Sequence, residues 1–190
     1  TWSDYSNTMN IQQYYSLSTS QTINDMVSAG AQDNGTSLVT SGAWDKILGG
    51  DGMETIIDYT NAQVIYGSQY NGSLNRSDDG GNSFSDISVN GANGAWVTPY
   101  ILDPQVSTTV YAGYDNIYKS TDKGDTWTAI STNTNTYDAL AVDERTNTLI
   151  VAGRAEQMEL IEKVVSQLDQ PATSLKFPLR LVALTYADAT

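Results

Sequence analysis

The chain has 190 residues, of which 39% are apolar and only 16% charged, and its 22 Asp and Glu against 9 Lys and Arg give a net charge of −13. That balance excludes an electropositive track for nucleic acid or anionic lipid. No run approaches the roughly 20 consecutive apolar residues that a membrane-spanning helix needs. With no Cys and no His, thiolate nucleophiles, Ser-His-Asp triads and ordinary zinc sites each lack a required residue, so neither a metal nor a cofactor is expected. No charged-then-apolar leader opens the sequence, and an export signal is expected to have been removed or to lie elsewhere.

Residues 1–140 hold 15 acidic and 4 basic residues and 16 of the 18 aromatics. They read as short Tyr/Val/Ile strands separated by Gly, Asn-Gly and Asp-Gly turn signals. Within the first third, Asp33-Asn34-Gly35 and Gly50-Asp51-Gly52 are turn chemistry, since Asn and Gly tolerate positive φ. A calcium role for them lacks the full D-x-[DN]-x-[DN]-G loop with its distal Glu. Farther along, Ser77-Asp78-Asp79-Gly80-Gly81-Asn82-Ser83-Phe84 and Ser120-Thr121-Asp122-Lys123-Gly124-Asp125-Thr126-Trp127 share the pattern S-x-D-x-G-x-x-(F/W), 43 residues apart.

The strands before them also match, VIYGSQYNGSLNR against TVYAGYDNIYK. Trp2 and Trp44 extend the series, so that aromatics at 2, 44, 84 and 127 are separated by 42, 40 and 43 residues. All-strand repeats of this length predict propeller blades of four antiparallel strands, with Trp2-Ser3-Asp4 as the end of a blade. In each motif Ser77 or Ser120 and Asp79 or Asp122 are expected to satisfy backbone groups of the turn. Gly81 or Gly124 allows a conformation that a side chain penalises, and Phe84 or Trp127 buries a ring as the next strand begins.

These motifs resemble the Asp-box, or BNR-repeat, propellers, a superfamily that includes sialidases, xyloglucan-cleaving glycosidases and the luminal propeller of sortilin-like receptors. Ala29–Thr36 and Gly49–Gly52 are likewise similar to pieces of large exported bacterial BNR-repeat proteins. The resemblance implies a mainly β fold of incomplete propeller blades for residues 1–139. It makes the Asp-box a folding device placed away from the substrate face.

From residue 140 the text changes. Leu140–Val151 alternates as two strands around Glu144-Arg145-Thr146-Asn147. Ala155–Leu168 carries an apolar stripe of Met158, Ile161, Val165 and Leu168 at helical spacing, ended by Asp169-Gln170-Pro171, and Leu175–Leu184 alternates again as a strand. VDERTNTLIVAGRAEQMELIEKVVSQLDQP is similar to the short periplasmic ring-building domain of bacterial secretins, which implies a small α/β segment over 140–190. The family's first strand and helix are missing, and propeller-like sequence stands in their place. Leu140-Ala141-Val142-Asp143 also reads as the first strand of another blade.

About 140 residues supply a little over three blades, whereas closed propellers use roughly 4–8; the uncovered sheets point to self-association or protein partners. The expected function is a noncatalytic secreted, cell-surface or periplasmic scaffold or binding protein. One alternative is a fragment of a glycoside hydrolase-like propeller. It would need two carboxylates about 5–10 Å apart: Asp33, Asp51, Glu54 and Asp103 are available, and Trp44, Trp96 and Tyr100 could stack on sugar rings. Asp33, Asp51, Trp44, Trp96 and Tyr100 are accordingly the candidate glycan contacts. Sialidase chemistry is disfavoured because Arg76 is the sole Arg before residue 140. A further alternative is a secretin-type ring module.

Overall fold

The computed structural model describes residues 12–132, 137, 139–143 and 148–152. Their chain folds into three successive four-stranded antiparallel sheets and one strand pair. Blade 1 comprises β1 (Tyr14–Thr19), β2 (Val27–Ala31), β3 (Gly35–Thr40) and β4 (Ala43–Leu48). Blade 2 has β5 (Thr55–Ile57), β6 (Ile65–Ser68), β7 (Leu74–Ser77) and β8 (Ser85–Asp86), and blade 3 has β9 (Tyr100–Leu102), β10 (Val110–Gly113), β11 (Ile117–Ser120) and β12 (Thr128–Ala129). The pair β13 (Ala139–Asp143) and β14 (Thr148–Ala152) follows, as the alternation over 140–151 predicts. Among the described residues the only helical element is a short 3₁₀ turn at Tyr70–Gly72. The helix expected over 155–168, the strand over 175–184 and Trp2 lie outside the described residues.

Strand alternation gives each sheet two faces, one toward the preceding blade and one toward the next. Cross-strand pairs share a face, so the register identifies equivalent positions. The pairs Thr55↔Gly67 and Ile57↔Ile65 of blade 2 correspond to Tyr100↔Ala112 and Leu102↔Val110 of blade 3. Leu140↔Val151 and Val142↔Leu149 occupy the same places in the last pair, and Leu17↔Ala29 and Thr19↔Val27 in blade 1.

The backward-facing positions of blades 2 and 3 and of the last pair build the core. Ile57 and Ile65 pack with Met26 and Leu38 of blade 1, and Tyr100, Val110 and Ala112 pack with Val64, Tyr66 and Leu74 of blade 2. Leu149 and Val151 are buried with Ile117 and Tyr137, with Ile101 and Tyr111 of blade 3 against them. The strand pair β13–β14 therefore sits on blade 3 as blade 3 sits on blade 2.

Polar contacts lock the first interface. Ser28 and Thr55 hydroxyls are hydrogen-bonded at 2.8 Å, fully buried, and the Ile57 N–H donates to Ser18 Oγ at 2.9 Å. Gly30 in β2 lies so close to the chain entering blade 2 that a Cβ there would collide with the Met53 carbonyl, which is backbone and cannot swing aside. Gly30→Ala is expected to lower unfolding free energy by roughly 1–3 kcal/mol through overpacking. Gly49→Ala, where a Cβ meets nothing within 4 Å, should shift it by less than about 0.5 kcal/mol. Urea denaturation of the two variants measures the contrast.

Candidate functional site

The up-and-down topology separates two sets of loops. Turns joining the first to the second strand and the third to the fourth lie at one end of every blade. Turns joining the second to the third strand, and the crossovers between blades, lie at the other.

The two S-x-D-x-G turns at the first end have the same hydrogen-bond set. Gly81 N–H donates to Ser77 Oγ at 2.8 Å, and Ser77 Oγ donates to Asp79 Oδ1 at 2.8 Å. Gly124 N–H and Ser120 Oγ repeat this at 2.8 and 2.7 Å, the latter to Asp122 Oδ1. Asp79 then accepts from the Ser83 N–H at 2.9 Å and the Ser83 hydroxyl at 2.6 Å, and Asp122 accepts from Thr126 at the same two distances. Gly80 N–H donates to Gln63 O, and Lys123 N–H to Thr108 O, tying each turn to the neighbouring first loop of its blade. Gly81 (φ 92°) and Gly124 (φ 96°) occupy the left-handed region, where a side chain is strained. Hydrogen bonds from the Ser83 hydroxyl and N–H and from Ser77 hold the Asp79 carboxyl down to about 2; for Asp122 the Thr126 hydroxyl, Ser120 and the Thr126 N–H do the same.

The aromatics that follow the turns share a register. Trp44 pairs with Val39. Phe84 and Trp127 each stand one residue before a paired position, hence opposite Ser77 and Ser120. Trp127 lies half-buried and its indole N–H donates to the Ile87 carbonyl of blade 2 at 2.8 Å. Phe84 is half-buried too. Blade 1 departs from the motif: β3 and β4 are joined by Ser41 and Gly42 alone, both at positive φ. Trp44 is 56% exposed and meets only the Tyr14 ring among described aromatic pairs, at 6.4 Å.

A second repeated turn escaped the sequence reading. Asp58 Oδ1 accepts the Thr60 N–H and hydroxyl, Asp103 Oδ1 accepts the Gln105 and Val106 N–H groups, and Ser20 Oγ accepts the Thr22 and Ile23 N–H groups. In each case the second strand begins seven residues later, at Val27, Ile65 and Val110. The signal was present as a Ser or Asp seven residues before VSAG, IYGS and VYAG. Asp103, one of the four carboxylates available for a hydrolase pair, is a buried brace of this turn.

The opposite end carries the remaining candidates. The Asp51 carboxylate accepts the Asp33 N–H at 2.7 Å, fixing the turn between β2 and β3 against the crossover to blade 2. Gln69 Nε2 donates to Gly49 O at 2.7 Å. Beyond it Tyr70 stacks on Trp96, centroids 5.3 Å apart and planes 12° from parallel, with the residues 46% and 51% exposed. The pair is held from beneath: Asn71 N–H donates to Trp96 O at 3.3 Å, and the buried Tyr114 hydroxyl donates to Gly72 O at 2.6 Å. Burial pushes the Tyr114 hydroxyl well above its ordinary range, keeping it a donor. Of the candidate glycan contacts, Asp33, Asp51 and Trp96 lie at this end, Asp33 against Asp51 and Trp96 against Tyr70. Trp44 is on the outer face of blade 1, and Tyr100 is interior, 3% exposed, with its hydroxyl donating to Glu54 O at 2.9 Å. Tyr100 thus presents no ring to a ligand. Among the described residues no cluster of acids is arranged to hold a metal.

Residues 119–174 match the family described as the bacterial type II/III secretion system short domain. The match begins in β11, inside blade 3. A search of curated proteins finds no match to the chain. Among solved structures, the chain is similar to the GH74 xyloglucanase from Xanthomonas campestris, with TM-score 0.59, 13% identity, and 77% of this chain and 28% of that one covered. It is similar also to an ancestral GH74 enzyme (0.57, 12%, 71% and 21%) and to YCF48 from Cyanidioschyzon merolae (0.53, 13%, 70% and 47%). The chain spans less than a third of the two GH74 enzymes and about half of YCF48. At these identities the likeness is one of fold: sheets arranged as propeller blades.

The Asp79 and Asp122 turns generate a pH test. Because the folded carboxyls titrate near 2 rather than at the ordinary 3.8, their stabilisation is complete above about pH 3.8 and is lost as pH falls toward 2. The melting temperature of Asp79→Asn/Asp122→Asn is expected to lie below that of the parent at pH 6, and the gap to narrow between pH 4 and 2. Thermal melts by circular dichroism across that range read it directly.

Proposed function

We propose that this chain is a noncatalytic binding and assembly module of the bacterial cell envelope, working in the periplasm or outside the cell. In this reading residues 12–152 are a propeller-like unit whose S-x-D-x-G turns are Asp-box folding devices. The segment matching the secretion-system short domain, running on to residue 174, joins that unit to envelope machinery. The observation that carries the noncatalytic part is the use made of the acids. Asp51 and Asp103 accept backbone N–H groups, so that they brace loops. The exposed feature of the loop end is instead the Tyr70–Trp96 stack, a rigid aromatic surface suited to a sugar ring or a protein side chain.

A glycoside hydrolase fragment is the second reading, favoured by one observation: the hydrogen bond from the Asp33 N–H to the Asp51 carboxylate sets two acidic residues side by side at the loop end that also carries Tyr70 and Trp96. The readings separate in one assay. Incubation with xyloglucan, other β-glucans and sialosides should release no reducing ends, while any retained saccharide should be lost on Trp96→Ala, by roughly tenfold in affinity as for a buried aromatic anchor. Turnover abolished by Asp33→Asn or Asp51→Asn would establish the second reading and end the first.

A further inference from the structure

Four Asn-Gly pairs stand in the chain, beginning at Asn34, Asn71, Asn90 and Asn93. An asparagine followed by glycine is set up for cyclisation, because no side chain hinders the approach of the glycine nitrogen to the asparagine Cγ. Closing that ring needs a peptide unit able to turn, so the fold decides which pairs react. All four asparagines are exposed, and exposure alone does not choose among them. The glycines differ. Gly35 is buried as the first residue of β3, paired with Ala31, and the Asn34 amide donates to Gln32 O at 3.0 Å. Gly72 is buried, its carbonyl accepts the Tyr114 hydroxyl at 2.6 Å, and the Asn71 N–H donates to Trp96 O at 3.3 Å. Gly94 lies so close to the Gly72 backbone and the Thr98 hydroxyl that a Cβ there would collide with both.

Asn90-Gly91 is held by none of these devices. Gly91 is exposed in the crossover from β8 to β9, and a Cβ on it would meet nothing within 4 Å. The two residues are the centre of a turn closed by one bond, from the Ala92 N–H to Val89 O at 3.3 Å, with Gly91 at φ 76°, where glycine is favoured. Among the described residues no group accepts the Gly91 N–H or holds the Asn90 amide. The chain on either side is fixed: Val89 is buried and its N–H donates to the Tyr114 hydroxyl at 3.3 Å, and Gly94 is wedged against Gly72.

We infer that Asn90 is a site of spontaneous deamidation and isoaspartate formation, a modification that accumulates in the β8–β9 crossover as the protein ages. The Gly91 nitrogen attacks Asn90 Cγ: the N–Cγ bond forms, the Cγ–Nδ2 bond breaks, and the amide proton passes through water to the departing nitrogen, which leaves as ammonia. Water then opens the succinimide. Cleavage of the new N–Cγ bond leaves aspartate; cleavage at the Asn90 main-chain carbonyl leaves isoaspartate, with the chain running on through Cγ. Water is the only co-reactant, and nothing is oxidised or reduced. Either product puts a carboxylate in place of a neutral amide on the crossover that also carries Trp96, and isoaspartate adds one carbon to the backbone of the turn. The inference goes beyond the proposed function and stands whether or not this end of the molecule binds saccharide.

The test ages the full chain in buffer at mildly alkaline pH and reads its proteolytic peptides by tandem mass spectrometry. Asn90 should convert roughly tenfold faster than Asn34, Asn71 or Asn93, the ratio that a barrier difference of about 1.4 kcal/mol gives. In concentrated urea the four rates should converge, since only the fold separates them. Both aspartate and isoaspartate should appear at Asn90, the latter labelled by isoaspartyl methyltransferase. Asn90→Gln should remove the dominant acidic species from anion-exchange profiles of the aged chain, with far-ultraviolet circular dichroism unchanged. Faster conversion of another asparagine in the folded chain overturns the inference, as do four equal rates there. A preference for Asn90 that persists in urea would assign it to sequence and not to the fold, and a product without isoaspartate would mean direct hydrolysis; either result also ends the account.

Discussion

A four-stranded sheet with apolar side chains on both faces is stable only when both faces are covered, and this constraint organises the molecule. Each blade has one face for its predecessor and one for its successor. Burying a Val, Leu or Ile at such a face contributes about 1.5–3 kcal/mol, whereas leaving it in water contributes nothing. Interior faces obey the rule closely, with Ile65, Val110 and Ala112 wholly buried. On the outer face of blade 1 Ala29 and Ala31 are wholly buried, while Leu17 and Trp44 stay exposed.

The same constraint explains why the acids of this strongly acidic chain are so often structural. Closely stacked blades need tight turns, and tight turns leave backbone N–H groups without ladder partners. Carboxylates and hydroxyls of Asp58, Asp79, Asp103, Asp122, Ser20, Ser77 and Ser120 fill that need at the end where the first-to-second and third-to-fourth strand turns lie. Between blades 2 and 3 Arg76 extends the pattern. It is paired with Asp78 and Asp125 at 2.8 Å each and donates to Lys123 O. The loops at the other end, held by their own hydrogen bonds, present Tyr70 and Trp96.

Much of this was legible in the sequence where residue type has one physical meaning. Ser-x-Asp-x-Gly reads as a turn because a hydroxyl, a carboxylate and a positive-φ glycine are all needed within five residues, and the paired turns share one geometry. The aromatics at 44, 84 and 127 share a register as their spacing predicts, yet Trp44 differs in surroundings. Its hairpin is two residues shorter and its blade has no described predecessor. The first-loop turn was missed because its brace alternates between Ser20 and Asp58 or Asp103, and because an Asp among 22 acids carries little information. Tyr100 was misassigned for a related reason: Tyr favours strands whether its hydroxyl meets solvent or, as here, the Glu54 carbonyl. Tyr70 gave no signal beyond an Asn-Gly turn, since its stacking on Trp96 depends on contacts across the crossover.

The segment from 139 to 152 concentrates the account, since it belongs by alternation to a blade and by sequence to a region matching the secretion-system short domain. Its Leu149 and Val151 share a buried cluster with Ile117 of blade 3. A double-mutant cycle on Ile117→Ala and Leu149→Ala, read by chemical denaturation, tests the stacking most directly. Stacked blades predict a coupling energy of roughly 0.5–3 kcal/mol; additive effects, with coupling near zero, would mean that β13–β14 is an independent module and not the start of a fourth blade.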